Sequence, residues 1–269
     1  MSWIWAALTP HPPIIVPGVG EGREREAAAT IEGVRALMKR LAVIGCPDRI
    51  LLLSPHQMYA PGAFAVNSSP VIKGGLSMFG ASVSFDLRTP VSDADALSKY
   101  LGTRGVPISM ISSGDLARDQ GSTVPLYFLK ESLGALPGIV LSSPIGLDGR
   151  SSFRLGEALA GFDDGKRWGL LASGDLSHRL KPGAPAGFSP EGRKFDDAVV
   201  RALENADASL LLDLPRRVVE DAGECGLRSV LAMLGMVSEF GGRIDVLSYE
   251  GPYGVGYCNA VSDLLEGVI

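Results

Sequence analysis

Histidine is scarce in this chain, with three among 269 residues, and so is cysteine. Cys46, Cys225 and Cys258 are odd in number and lack the paired spacing of zinc or thiol redox motifs, which excludes a disulfide framework and points to a reducing cytoplasm. Lysine and arginine never run longer than two, and the formal net charge is -5, so the electrostatic footprint of a nucleic-acid partner is missing. From Met1 to Gly20 there is no charged side chain at all. Such a span could suit a leader or a membrane segment, but it has no basic start and four prolines break it. It reads as a buried strand and a loop, with no membrane as partner. What the chain does have is apolar residues, 46% of the total, enough for a sizeable core.

Hydrophobic periodicity gives strands and helices in alternation. Strands are expected at Trp3–Thr9, Arg49–Ser54, Pro107–Ile111, Gly138–Ser142 and Trp168–Ala172, then as a closing pair at Arg243–Tyr249 and Gly256–Val261. Helices are expected at Arg23–Ile44, Ala94–Leu101, Thr123–Leu133, Phe153–Ala160, Phe195–Glu204 and Glu224–Val237, with a hairpin-like excursion between Ala63 and Leu87. No linker, repeat or low-complexity tract appears. The order argues for one α/β domain over residues 1–269, a three-layer arrangement with a mixed central sheet covered by helices on both faces.

Gly18-Val-Gly20-Glu-Gly22 is a poor phosphate loop. Its glycines lie well past the strand, behind Pro17, and Glu21 and Glu24 would oppose an anion at the helix start. The histidines carry more. His11 follows the first strand, held extended between Pro10 and Pro12, His56 follows the second in Ser54-Pro-His56, and His178 follows a later one in Gly174-Asp-Leu-Ser-His178. Ligands of open α/β sheets bind beyond the carboxyl ends of the strands, so all three can converge there. A strand-end histidine is commonly just a satisfied polar residue, but three together suggest a metal or acid–base site. The carboxylate to complete it is Glu224 or Glu220, which spacing alone does not separate. Asp175, Ser177 and His178 lie too close in one turn for a hydrolase triad, and the Gly-x-Ser-x-Gly elbow is absent.

Pro10-His11-Pro12-Pro13, Ser54-Pro-His56, Gly174-Asp-Leu-Ser-His178-Arg, Glu224-Cys-Gly-Leu-Arg-Ser and Tyr249-Glu-Gly-Pro-Tyr-Gly-Val-Gly, in that order and nearly end to end, resemble the class III extradiol ring-cleavage dioxygenases. The beta subunit of protocatechuate 4,5-dioxygenase represents that LigB-like family, and the branch most similar is the Memo-like one of the AmmeMemoRadiSam system. The resemblance implies a non-haem Fe(II) held by His11, His56 and Glu224, with zinc or manganese compatible with the same ligands. It favours Glu224 over Glu220, and it implies that the three ligand tips lie within a few Å of one another. His178 would be an acid and base beside the metal. The implied reaction inserts both atoms of O2 into a catecholic ring.

One departure stands out. Where family members often carry His-Gly before this helix, the sequence reads Asp119-Gln120-Gly121, so a neutral amide replaces an imidazole that helps bind substrate. Tyr253, in the turn Gly251–Gly256, is a second pocket-lining residue. Arg228 reads as an ion-pair partner and Cys225 as a small buried residue. The alternative to an enzyme is a Memo-like metal-binding or adaptor protein of the AmmeMemoRadiSam system. Its partners are expected as separate polypeptides, because the chain ends soon after its last strand, and a homo-oligomer is compatible with either reading.

Overall fold

A computed structural model describes residues 2–115 and 119–266. In chain order they form β1 (Trp3–Thr9), α1 (Ala28–Ile44), β2 (Arg49–Leu53), β3 (Phe64–Asn67), β4 (Val71–Gly75), β5 (Ser84–Arg88), α2 (Val91–Thr103), β6 (Ile108–Ile111), α3 (Gln120–Leu133), β7 (Gly138–Ser143), α4 (Gly149–Ala160) and β8 (Trp168–Ser173). There follow α5 (Pro190–Glu204), α6 (Ser209–Leu212), α7 (Arg216–Ala222), α8 (Leu227–Phe240), β9 (Asp245–Glu250) and β10 (Tyr257–Asp263). The central sheet has eight strands in the order β6-β3-β7-β2-β8-β1-β10-β9, and β4 and β5 form a separate hairpin.

The two faces follow from the period of two along each strand. Leu51, Leu53, Leu170 and Ala172 point to the face covered by α2, α4, α5 and α8, whereas Ile50, Leu52 and Leu171 point to α1 and α3. In β1 the alternation slips. Ile4 and Trp5 both join the α1/α3 side, where the pairing with β8 shifts register between Trp3 and Trp5, as a bulge does. The mixed α/β architecture expected from the sequence is the one observed.

Side-chain caps fix the starts of α3, α4 and α5. α3 begins at Gln120, three residues before the apolar pattern suggests, because the Asp119 carboxylate accepts the Ser122 N–H at 3.1 Å. The expected helix at Arg23 is a single 3-10 turn to Ala27 before α1 proper. Of the Ala63–Leu87 excursion, β3 joins the main sheet and only β4 and β5 make the hairpin. The short helices α6 and α7 have no counterpart in the expectations. The helix expected from Glu224 starts at Leu227. Gly223 closes α7 in the left-handed conformation at φ 62°, so Glu224, Cys225 and Gly226 form a tight link rather than a first turn.

One consequence of the topology positions the site. β8 lies between β1 and β2 and runs parallel to both, so the carboxyl ends of all three strands open on one edge. No helix among the described residues is long and apolar enough to cross a membrane.

Candidate metal centre

His11 lies just beyond β1, 2% exposed. Its backbone N–H donates to Asp175 Oδ1 at 2.8 Å, and its Nδ1 lies 2.9 Å from the Ser173 hydroxyl at the end of β8. Its Nε2 is thereby aimed at His56 Nε2, 2.8 Å away, with the two rings edge to face at 82°. His56 is seated from the other side. Ser54 Oγ donates to Asp119 Oδ1 at 2.5 Å and accepts the His56 N–H at 3.4 Å, so a buried carboxylate ties the His56 loop to the start of α3. Gly121 makes that approach possible, since a Cβ there would stand 2.5 Å from Ser54 Oγ and 3.1 Å from His56 Cδ2. Gln120, the first residue of α3, brings its amide nitrogen to 3.4 Å from His56 Nε2.

The link before α8 meets this pair through another close contact. A Cβ on Gly174 would lie 2.4 Å from Gly226 Cα, so only glycine lets the β8 loop and the α8 start touch. Cys225 Sγ comes within 3.6 Å of His11 Nε2, and the ligand atoms of His11, His56 and Cys225 all lie within 4.8 Å of one another. Among the described residues Glu224 is not part of that group. Its Oε2 accepts the Leu227 N–H at 2.7 Å and its Oε1 stands 3.9 Å from Arg228 Nη1. The later helix start is the reason: the carboxylate faces an otherwise unsatisfied amide at the beginning of α8. Of the three tips expected to cluster, the structure brings together two, His11 and His56. Glu220 is exposed and paired with Arg216, apart from the site. Arg228 also donates from Nε to the Leu147 carbonyl at 2.7 Å. Tyr253 gives its hydroxyl to the Arg23 carbonyl.

His178 stands close enough to both other histidines that charge on one disfavours charge on the next. Its N–H donates to the Ala222 carbonyl at 3.1 Å, and its buried Nδ1 finds no hydrogen-bond partner among the described residues. The carbonyls of Leu176 and Gly223 lie nearby without meeting hydrogen-bond geometry at that atom. Desolvation lowers the pKa of all three histidines, His56 included although part of its surface is open to solvent, which favours the neutral form that offers a lone pair. Burial acts oppositely on the acids: Asp175 is pushed up to about 7, Glu224 is raised, and the Cys225 thiol is raised well above its usual value. The contact of Asp175 Oδ2 with His11 Nε2 at 3.8 Å therefore joins groups without full charges.

This donor set fits a first-row metal. Two nitrogens each about 2.1 Å from one ion at a right angle would be about 3 Å apart, close to the 2.8 Å found, and neutral imidazole with thiolate or carboxylate suits iron, zinc or copper. Sequence reasoning found both histidines but missed Ser173, Asp175 and Asp119. The one signal for Asp119 was its spacing before Ser122 as a helix cap.

Behind His178, the backbone N–H of Ser177 donates to Asp196 Oδ1 at 2.8 Å and Tyr249 donates to Asp196 Oδ2 at 2.7 Å. Burial pushes Asp196 up to about 7 from an ordinary 3.8. An acid raised on folding stabilises most while protonated, so its contribution is complete below about pH 4 and is lost as pH climbs through about 7. The ceiling is on the order of 4 kcal/mol at 1.36 kcal/mol per pH unit. Asp196→Asn keeps an acceptor for Ser177 and a partner for Tyr249 without the ionisation. Urea unfolding at pH 4.5, 6 and 8 should show the variant gaining on the parent as pH rises, and parallel curves would count against this origin.

Three comparisons bear on the chain. Residues 5–259 match the family model for the catalytic LigB subunit of aromatic ring-opening dioxygenase. Protein CA_C1420 of Clostridium acetobutylicum is 31% identical over 263 residues, which are 93% of this chain, and the chain spans 55% of that relative's length. The crystal structure of uncharacterized protein JW3007 from Escherichia coli K12 superposes with a TM-score of 0.68 at 15% identity, covering 96% of this chain and 99% of that one, a likeness of fold.

Proposed function

The chain belongs to the family of the catalytic LigB subunit of aromatic ring-opening dioxygenase, and from that premise we propose that it is a metal-dependent extradiol dioxygenase that opens a catecholic ring with O2. The observation that carries this reading is a pair of imidazoles, His11 buried and His56 open to solvent, whose Nε2 atoms face each other at 2.8 Å at the carboxyl ends of parallel strands. His11 and His56 would hold Fe(II), the expected metal, with a third donor from Glu224 or Cys225. When bound there, the metal would supply activation of a catecholate and of O2.

The remaining steps belong to this chain's own groups. His178, neutral and with Nδ1 unpartnered, takes a proton from the incoming catechol hydroxyl and returns one as the ring opens. Gln120 turns its amide to a substrate oxygen, donating or accepting but never carrying charge. Catechols without a carboxylate are thus the better substrates, since no second imidazolium is offered at that position. Tyr253 lines the outer pocket only where its bond to Arg23 opens.

Oxygen uptake and the appearance of ring-opened product test this, for a panel of catechols with iron supplied under reducing conditions. The parent is expected to open plain or alkyl catechols, and Gln120→His to extend cleavage to acidic ones by about 10-fold or more, a charge-assisted contact being worth about 1.5–3 kcal/mol. Iron bound without oxygen uptake by either form would sink the enzyme reading.

One observation favours a second reading. Cys225, rather than Glu224, stands within ligand range of both histidines. That supports a Memo-like metal-binding or adaptor role within a cytoplasmic AmmeMemoRadiSam system, with separate partner proteins. In that case the protein holds metal stoichiometrically and turns over no catechol.

A further inference from the structure

We propose that Ser173 is a positioning residue that holds His11 as the Nδ1–H tautomer, so that Nε2 presents a lone pair to the metal. The inference rests on the metal-binding reading of the site but concerns a state that exists before metal arrives.

The geometry gives His11 Nδ1 a fixed partner. Ser173 is fully buried at the last position of β8, in register with Thr9 of β1, so its backbone is fixed by the parallel ladder on which the site is built. Its Oγ lies 2.9 Å from His11 Nδ1, a full hydrogen-bond contact. The other side of the ring faces His56 Nε2 at 2.8 Å, and two facing nitrogens at that distance share one proton. If His11 donates from Nδ1 to Ser173, its Nε2 accepts from His56 Nε2–H, and the Gln120 amide, 3.4 Å from that nitrogen, is flipped to present its oxygen there. For both rings to ligate, only His56 then has to move its proton, from Nε2 to Nδ1, while His11 keeps its own and neither ring turns. If His11 carried its proton on Nε2, the ring would have to exchange tautomers before it could ligate. The other groups near His11 Nε2 are Cys225 Sγ, a weak acceptor at 3.6 Å, and Asp175 Oδ2 at 3.8 Å, beyond hydrogen-bond reach, and that carboxylate already takes the His11 backbone N–H through its other oxygen. Backbone and ring of one residue are thus held by Asp175 and Ser173, one just past the end of β8 and the other its last residue.

The scarcity of histidine makes the test direct, because three imidazoles give three assignable sets of ring 15N signals. In the metal-free parent the His11 ring is expected to show a protonated Nδ1 and an unprotonated Nε2. Ser173→Ala should shift that ring toward the other tautomer and weaken Co(II) binding by about 10- to 100-fold, the range for a residue supporting a metal-ligating histidine. Its Co(II) absorption spectrum should change shape while its circular dichroism stays that of the parent. A parent His11 protonated on Nε2 would overturn the proposal without any variant. So would a folded Ser173→Ala with parent tautomer, affinity and spectrum. A parent with the expected tautomer that takes up no metal overturns the metal-binding reading instead and leaves Ser173 as a determinant of the ring's proton alone.

Discussion

His56→Ala is expected to abolish stoichiometric metal uptake, and His11→Ala to do the same. Each removes one of the two nitrogens that face each other across 2.8 Å, and the loss should exceed the roughly 100-fold ceiling for a merely supporting residue. Anaerobic titration with Fe(II), followed by elemental analysis after desalting, reads the effect. The third donor is settled in the same series. Cys225→Ser should weaken binding strongly if the thiol that stands 3.6 Å from His11 Nε2 is the ligand, and Glu224→Gln should then leave affinity near that of the parent. The reverse ranking would mean that the carboxylate leaves the Leu227 amide and swings inward on metal binding, restoring the two-histidine, one-carboxylate set. Full metal content in His56→Ala would remove the basis of the site altogether.

The second large effect is one of rate. His178→Ala should retain metal at the parent's stoichiometry and lower catechol turnover by about 100- to 10,000-fold, the usual worth of a positioned proton carrier. Burial lowers the pKa of His178, so the neutral base persists as the solution is acidified, and the acid limb of the parent's rate profile should fall below the ordinary histidine value of 6.5. The variant should lose that limb. Metal released by His178→Ala but kept by His56→Ala would exchange the roles given to the two residues.

The fold was largely legible because its signals are long and periodic. The strand Trp3–Thr9, the helical pattern to Ile44 and the apolar run at Arg49 all rest on burial that the sequence announces, and the strand-end positions of His11, His56 and His178 followed from them. What was not legible was local. A left-handed glycine at 223 and the contact of Gly174 with Gly226 moved the α8 start by three residues, and that small shift turned Glu224 toward an amide and Cys225 toward the histidines. Asp119, Ser173 and Asp175 act through contacts between segments 65 to 164 positions apart, which no local pattern encodes. The short helices α6 and α7 are too brief for periodicity to reveal them.

The position of β1 in the sheet also sets an order on biosynthesis. Every one of its seven residues is buried, yet its hydrogen-bonding neighbours are β8 on one edge and β10 on the other, strands that begin at Trp168 and Tyr257. Of the strands in this sheet β1 is made first, yet it waits as an apolar ribbon with both edges open until β8 is made, and its second edge stays open until β10. His11 hangs from the end of that ribbon. Both of the neighbours that fix it, Ser173 and Asp175, arrive only with β8 and the loop after it, so a nascent chain carrying both histidines, with Ser54 and Asp119 already made to seat His56, still lacks the scaffold that aims His11.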